Sequence, residues 1–295
     1  MTAPSHRIFD RRLVALRRAR AAANFPAHAF LVERVADEIA DRLGTVNRDF
    51  PLALDLGSHR GMLRDVALPP GKIGMLVETD LAPAMLQGRE SLRVAADEEA
   101  LPFRAASFSL VVSALALHWT NDLPGALVQL RRTLAPDGLM IAALFGGETL
   151  FELRTALSEA EIECEGGLSP RISPMADVRD MGSLLQRAGF ALPVMDVDRV
   201  KVTYADMIGL MRELRAMGET NALIERRRAP LRRTTLIRAA EIYQDRFGLP
   251  NGRIPATFEI LFATGWAPHD SQQKPLKPGS ATARLEEALK NMDKP

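Results

Sequence analysis

A glycine turn at the end of an apolar run is the first candidate for chemistry. The stretch LDLGSHRG, residues 54–61, reads as a strand that ends in a tight loop. Glycine lets the backbone approach a ligand closely, so such a loop is typical of a nucleotide-type cofactor site. Gly57, Ser58 and Gly61 are the candidate contacts, but His59 stands where a second glycine would be expected. The loop also misses the GxGxxG spacing that holds a pyrophosphate. A working cofactor loop, a degenerate one and an ordinary strand-to-helix turn all remain open.

Acidic residues stand at the ends of the next two apolar runs. Asp80 ends KIGMLVETD, 23 residues after Gly57, where an acid can accept both hydroxyls of a ribose. Asp97 follows the third run within AADEEALPF, where it can accept from an adenine amino group. Their neighbours Leu81 and Glu98 are assigned to the same site. The acids and the LPF turn favour a ligand without phosphate over a dinucleotide.

The fourth apolar run contains Ser113 and ends at SALALHW, which contributes the catalytic candidates His118 and Trp119. Ligands of a doubly wound sheet lie outside the carboxyl ends of its strands, which is where this pair would stand. The alternative is that His118 and Trp119 cap the core where the sheet meets its helices. His59, by contrast, is expected to be an exposed loop residue and not a catalytic base.

The histidines do not predict a metal site. A non-haem iron site needs two histidines and an acid that converge on one ion. The chain has five histidines, and none shows the HxD or HxE spacing that often supplies two of the ligands. His118 with Asp122 is the nearest approach to such a pair. We therefore predict no metal ligands.

Composition excludes several classes of function. The 295 residues are 47% hydrophobic and 25% charged with a net charge of +1, which is ordinary for a globular protein and gives no overall field for nucleic acid. The single cysteine, Cys164, excludes an internal disulfide and suits a reducing compartment. No apolar run approaches the ~18 residues of a membrane span, and no secretory signal is present. A cytoplasmic protein is expected.

Short apolar runs alternate with helical stretches, which predicts an α/β fold with a doubly wound, Rossmann-like parallel sheet. Helical patterns return between the last two strand-like segments, so a helical cap is expected to be inserted late. The predicted segments are a basic amphipathic arm (1–27), the core (28–203), the helical cap (204–250), the last core strand (251–266) and a loosely ordered tail (267–295).

Arginines are concentrated in the arm and in the cap. The arm is rich in arginine and poor in acids, which is compatible with a transit peptide, a helix that docks on a partner or an anionic membrane, or a solvated helix packed on its own domain. The run at residues 226–238 has no interleaved aromatic residues, which argues against nucleic acid. A solvated helix face and a docking surface for an acidic partner remain.

Several motifs together resemble the class I S-adenosylmethionine-dependent methyltransferases: LDLGSHRG, VETDLAPAML, ADEEALPF, SFSLVVSALALHWTNDLPGAL and LRRTLAPDGLMIAALF. The resemblance implies a S-adenosylmethionine cofactor and assigns its contacts residue by residue. Gly57 and Gly61 match the loop under the methionine part, and Asp55 matches the acid that orients either that loop or the amino group. Asp80 matches the ribose acid and Asp97 the adenine acid. The wall under the sulfonium is matched by Ser113 and Leu115.

Further motifs along the chain resemble one subfamily, the methyltransferase-fold assembly factors of respiratory complex I, which act as protein-arginine hydroxylases. These motifs include IFDRRL, FGGETLFELR, EGGLSPRISPMADVRDMGSLLQRAGF, MGETNA and RIPATFEILFATGW. The resemblance implies a complex I subunit as protein substrate, met at the inner face of the respiratory membrane, with peripheral membrane contact. A more distant similarity to the carboxyl methyltransferase of biotin synthesis implies the alternative, methyl transfer to a small molecule or a carboxyl or thioester substrate.

Overall fold

Seven strands form one sheet in the computed structural model, which describes residues 7–66, 70–88 and 91–273. The order across the sheet is β3-β2-β1-β4-β5-β7-β6. The strands are β1 (Phe50–Leu56), β2 (Ile73–Asp80), β3 (Leu92–Ala95), β4 (Phe108–Ala114), β5 (Leu134–Phe145), β6 (Ala191–Tyr204) and β7 (Ile254–Trp266).

The sheet is mixed, whereas the alternation of strands and helices predicted a parallel one. Strands β1 to β5 pair in parallel, but β7 is antiparallel to both of its neighbours, β5 and β6. Tyr204, the last residue of β6, pairs with Ile254, the first residue of β7, so the chain re-enters the sheet at the edge where β6 ends and β7 runs back beside it. The α/β, Rossmann-like fold class is confirmed, with one antiparallel strand near its edge.

Eight helices flank or follow these strands within the described residues. They are α1 (Arg11–Ala21), α2 (Phe30–Thr45), α3 (Met62–Asp65), α4 (Leu123–Thr133), α5 (Phe151–Glu165), α6 (Val178–Arg187), α7 (Met207–Ala216) and α8 (Arg233–Phe247). In α2, Leu31, Val35, Ile39 and Leu43 recur at helical spacing and are buried against the sheet.

The arginine-rich arm forms α1, and its polar and apolar residues share one buried face. Asp10 caps the helix by accepting a hydrogen bond from the backbone N–H of Leu13 at 3.1 Å. Val14, Arg18 and Ala21 are buried, at the spacing of successive helical turns. Because an arginine lies within an apolar stripe, the side of α1 that faces the domain carries a charge into it.

The helices α7 and α8 form the late insertion, between β6 and β7. Helix α8 packs on α5, where Phe247 meets Phe151 edge to face at 5.8 Å between ring centroids. Tyr243 of α8 is fully buried and donates to the backbone carbonyl of Pro255 at 2.7 Å. These contacts hold the insertion against α5 and the first residues of β7.

The segment after β2 differs from the expected helix. A helical stretch was expected between the second and third apolar runs, at residues 82–90, but the described part of this segment forms only one 3-10 turn, Pro83–Leu86. Proline starts this turn, and Gly88 has a left-handed backbone with φ of 86°, which a continuing helix cannot accommodate. Residues 274–295 of the predicted tail lie outside the described residues. Among the described helices, none has the length and apolar character of a membrane span.

Candidate functional site

The glycine loop after β1 has an unusual backbone. Four of its five residues have positive φ: Gly57 at 71°, His59 at 42°, Arg60 at 74° and Gly61 at 77°. A Cβ atom on Gly57 would lie 2.2 Å from Cβ of Ala116, so only glycine fits where the loop passes the end of β4. Non-glycine residues rarely hold this backbone, and such outliers concentrate at binding and catalytic sites.

His59 is buried, so the expectation of an exposed loop residue is wrong. The residue is 2% exposed, and its ring stacks on Phe25 with centroids 5.4 Å apart. The Nε2–H donates to the backbone carbonyl of Leu115 at 3.1 Å, and Nδ1 accepts from Nη2 of Arg18 at 3.0 Å. Burial, followed by the adjacent Arg18 charge, lowers the pKa of His59 well below its usual value. His59 is therefore a neutral ring that faces inward and joins the arm to the end of β4.

Asp80 lies fully buried at the end of β2 and is paired with the arm. Its Oδ2 is 2.7 Å from Nη2 of Arg18, which is itself 3% exposed. Its Oδ1 accepts from the backbone N–H of Ala82 at 2.8 Å. Burial raises the pKa of Asp80, an effect that Arg18 opposes. The acid assigned to a ribose is thus paired with an arginine of the arm.

A second arginine of α1 reaches the other acids of the site. Nη2 of Arg11 is 2.7 Å from Oδ1 of Asp97 and also contacts Glu98, and its Nη1 donates to the carbonyl of Trp119 at 3.1 Å. The Asp97 side chain is one-third exposed, whereas that of Glu98 is buried. Arg11 and Arg18 are seven residues apart, so they project from the same face of α1, which lies across the carboxyl edge of β2, β3 and β4.

The remaining cofactor candidates have different surroundings. Asp55 is 2% exposed, and burial with the nearby Glu78 and Asp80 charges raises its pKa to about 8. Ser113 donates to the carbonyl of Leu56 at 2.8 Å, a bond that ties β4 to β1. Leu115 has a φ of 51° and offers the carbonyl that accepts from His59, while Leu81 is half-buried beside Trp119.

The polar atoms of this edge fit a nucleoside with free hydroxyls and no phosphate. Among the described residues, the buried atoms of this edge without a hydrogen-bond partner include Oδ2 of Asp55, Oγ of Ser58, Oε1 of Glu98 and the Nε atoms of Arg11 and Arg18. Oε1 of Glu98 lies 3.7 Å from Nη1 of Arg18, which is beyond hydrogen-bond distance. Buried polar groups are normally satisfied, so an unpaired cluster beside a glycine loop suits a polar ligand. Because Arg18 contacts the acceptor assigned to the ribose hydroxyls, a nucleoside would have to compete with this ion pair for Asp80.

A cavity of about 530 Å³ lies next to this edge, between β5, α5 and the helical insertion. Its apolar wall includes Phe145, Leu153, Met211, Leu214 and Phe258. Its polar lining includes six arginines and one carboxylate, that of Glu219, among the described residues. Trp119 lines it as well, whereas His118 has a 1% exposed side chain and stands behind it.

Glu219 links both catalytic candidates to the cavity. Its Oε2 accepts from Nε2 of His118 at 3.1 Å and from Nε1 of Trp119 at 3.1 Å, and its Oε1 is 3.3 Å from the same indole nitrogen. The carboxylate is thereby fixed at the wall of the cavity, with its side chain 12% exposed. The sequence analysis did not select Glu219, because nothing in MGETNA indicates that this acid meets residues about 100 positions earlier in the chain. Within the described residues, no three His, Cys, Asp or Glu side chains converge as metal ligands would.

The chain is similar to known proteins of the methyltransferase fold. Residues 54–142 match the methyltransferase domain family. The chain is 46% identical to the mitochondrial arginine-hydroxylase NDUFAF5 of Danio rerio, over 88% of this chain and 82% of that protein. It is 45% identical to the Homo sapiens protein of the same name, over 88% and 76%. It is also 37% identical to the malonyl-[acyl-carrier protein] O-methyltransferase of Halorhodospira halophila, over 90% of each chain.

Solved structures share the fold at low sequence identity. The YcgJ protein of Bacillus subtilis superposes with a TM-score of 0.53 at 14% identity, over 78% of this chain and 98% of that one. The sheet order, the glycine loop and the matched domain define a methyltransferase-fold protein. Within that class, the near-complete match at 45–46% identity decides the family. The chain belongs to the arginine-hydroxylase NDUFAF5 family.

Proposed function

We propose that this protein binds S-adenosylmethionine at the carboxyl edge of its sheet and hydroxylates an arginine of a respiratory complex I subunit during assembly. The observation that carries the proposal is Glu219, a carboxylate fixed at the wall of the cavity. The similarity to arginine-hydroxylase NDUFAF5 along most of both chains supports the same assignment. The protein would act in the cytoplasm at the inner face of the respiratory membrane, with peripheral contact only.

Glu219 has the chemistry to hold a guanidinium group. An ionised carboxylate offers about four lone-pair positions, and the guanidinium presents paired N–H donors that match its two oxygens. His118 and Trp119 donate from behind and from one side, so capacity remains for a ligand in the cavity. By orienting Glu219, the two residues of SALALHW would act as positioning residues for the substrate arginine.

The residues that would hold the cofactor are those of the glycine loop and the neighbouring acids. Asp80 would accept from the ribose hydroxyls after Arg18 withdraws, and Asp97 with Glu98 would face the adenine. Gly57 lets the loop backbone lie against the methionine part. S-adenosylmethionine supplies an activated methyl group when bound. Hydroxylation would instead insert one atom of dioxygen into a bond to hydrogen of the substrate arginine and reduce the other atom to water, so that reaction also requires dioxygen, a two-electron reductant and two protons.

Methyl transfer to a carboxylate is the second candidate function. It is supported by the 37% identity to a malonyl-[acyl-carrier protein] O-methyltransferase and by the arginines that line the cavity, which suit a carboxylate substrate. A methyl transfer needs mainly alignment of nucleophile, methyl and sulfur in a site that excludes water, so it requires no metal ligand.

Deletion of the gene tests the proposal and separates the two functions. We expect complex I assembly to stall on native gels, and one subunit arginine to lose a modification equal in mass to one oxygen atom. Loss of a methylene increment would favour the methyltransferase function. Normal complex I assembly and unchanged subunit masses would refute the proposed function.

A further inference from the structure

The arginines of the cavity carry more positive charge than their neighbours neutralise. The six that line it are Arg17, Arg171, Arg215, Arg226, Arg227 and Arg228. Arg171 pairs with Glu161 of α5, Arg227 pairs with Glu165 of the same helix, and Arg226 lies 3.7 Å from Asp10. The other three form no ion pair with any described residue.

The three arginines without an ion pair face open space in the cavity or at its mouth. Arg17 donates only to the backbone carbonyls of Thr220 and Asn221. Burial, followed by the nearby Arg226 charge, lowers the pKa of Arg17, as expected where positive charge is in excess. Arg215 and Arg228 are exposed.

The positive lining continues into an adjoining cavity of about 550 Å³ on the other side of Arg17. The two cavities share Arg17, Arg215 and Thr220, and the second adds Arg20 of α1 and Arg212 of α7. No acid lines the second cavity among the described residues. A groove with eight arginines therefore runs from the arm, past α7, to the single carboxylate of Glu219.

The positive charge of this groove affects which arginine can reach Glu219, and this inference rests on the proposed hydroxylase function. A lone substrate guanidinium would be repelled along the groove before it reached Glu219, because like charges close together raise the energy of the bound state. A protein segment that carries acidic side chains beside the arginine would be attracted to the groove. Its acidic side chains would pair with the arginines of the groove, and its guanidinium would remain free to bind Glu219. Clustered arginines select carboxylates in this way, through paired N–H donors.

We propose that the eight-arginine groove binds an acidic protein segment, so that the substrate arginine is one flanked by aspartate or glutamate residues. The cavity volume supports a segment and not a single side chain, since ligand sites of ~300–1,000 Å³ enclose molecules much larger than one guanidinium. The arginines of the basic run at residues 226–238 lie in two different places, which agrees with this role. Arg226 to Arg228 line the groove, whereas Arg238 points to α5, where it pairs with Glu163.

Fluorescence anisotropy with the full-length protein and two labelled peptides tests the inference. Both peptides carry one central arginine, flanked by four acidic residues in the first peptide and by their amides in the second. We expect the acidic peptide to bind at least tenfold more tightly at low salt, and this preference to shrink as salt screens the charges. Equal affinities, or tighter binding of single-stranded RNA than of the acidic peptide, would overturn the inference.

Substitution of the arginines that form no ion pair provides a second test. Arg215→Gln with Arg228→Gln should weaken the acidic peptide about three- to tenfold, because each exposed charge pair contributes modestly. The control, Arg104→Gln with Arg179→Gln, removes the same charge from exposed positions outside the groove and should leave the affinity unchanged. An equal effect of both double variants would overturn the inference.

The two proposals can fail separately. If the acidic peptide binds with the expected preference but gains no oxygen in a reaction with cell extract, the groove is supported and the hydroxylase function is refuted. If both peptides gain an oxygen equally well, the function is supported and the acidic groove is overturned.

Discussion

Replacing Arg18 by methionine should expose how strongly the arm is held to the candidate cofactor site. The substitution keeps an unbranched side chain at a 3% exposed position but removes the charge that faces Asp80 at 2.7 Å. Asp80 is fully buried and retains the hydrogen bond from the Ala82 backbone. Breaking a buried ion pair by removing one partner costs about 3–5 kcal/mol, because the other charge stays buried without compensation.

The buried carboxyl also sets an upper limit on this cost. Asp80 can escape its unpaired charge by binding a proton, and an ordinary aspartate has a pKa of 3.8. At pH 7 that protonation costs about 4.4 kcal/mol, from 3.2 pH units at about 1.4 kcal/mol each. At pH 5 the same step costs about 1.7 kcal/mol. Because burial already raises the pKa of Asp80 in the wild type, the cost of the substitution at neutral pH lies below this limit, at about 3–4 kcal/mol.

The sign of the pH dependence follows from the same carboxyl. In the variant the folded-state pKa of Asp80 rises further, so the folded protein binds a proton that the unfolded chain has released above pH 4. The free energy of unfolding of the variant therefore falls as pH rises, and the destabilisation is larger at pH 7 than at pH 5. Urea unfolding followed by circular dichroism at both pH values measures it.

Two variants control the experiment. Arg20→Met removes an exposed charge from the same helix and should change stability by less than about 0.5 kcal/mol. Arg18→Met with Asp80→Asn removes both charges and should be less destabilising than Arg18→Met alone. A loss below about 1 kcal/mol for Arg18→Met at pH 7, or the same loss at both pH values, would refute the reasoning.

Three further predictions concern the edge of the sheet. Burial raises the pKa of Asp55 to about 8, so the contribution of Asp55 to the free energy of unfolding is present below pH 4 and is lost as the pH rises to 8. Asp55→Asn should therefore flatten the pH profile of the free energy of unfolding, and a slope like that of the wild type would contradict this. Asp80→Ala should weaken S-adenosylmethionine by about 1.5–3 kcal/mol in calorimetry, and unchanged binding would remove Asp80 from the site. Gly57→Ala should lower stability by at least about 1 kcal/mol because the new Cβ meets Ala116 at 2.2 Å, whereas Gly147→Ala, with no atom within 4 Å, should not; equal thermal midpoints would contradict this.

Much of the fold follows from local patterns. Short apolar runs separated by helical stretches predicted the six strands other than β6, since a buried strand has few polar residues. The sixth strand, β6, was predicted instead from its alternation of apolar and polar residues, which is typical of a half-exposed strand. The direction of β7 was not predictable from such patterns. A strand buried on both faces has the same composition whether it runs parallel or antiparallel, and only its pairing with β6 decides.

The candidate site shows the same division between local and long-range information. Asp80 and Asp97 were selected because each stands at the end of an apolar run, and the structure places them along one edge. Their partners Arg11 and Arg18 were not foreseen. The arm precedes these acids by 62 residues or more, and its docking depends on tertiary packing that periodicity does not encode. His59 was misjudged for a related reason, since its ring lies against Phe25 and Arg18, which come from a distant part of the chain.

The most direct test of the account is the product formed in cells that carry a Glu219→Gln variant in place of the wild-type gene. Glutamine keeps the size of the side chain and an acceptor for Trp119, but it removes the negative charge that would hold a guanidinium. Mass spectrometry of the complex I subunits should find one arginine with an added oxygen atom in wild-type cells and the same arginine unmodified in the variant, while the purified variant melts within a few degrees of the wild type. A variant that still carries the added oxygen at the wild-type level would contradict the central claim that Glu219 binds the substrate arginine.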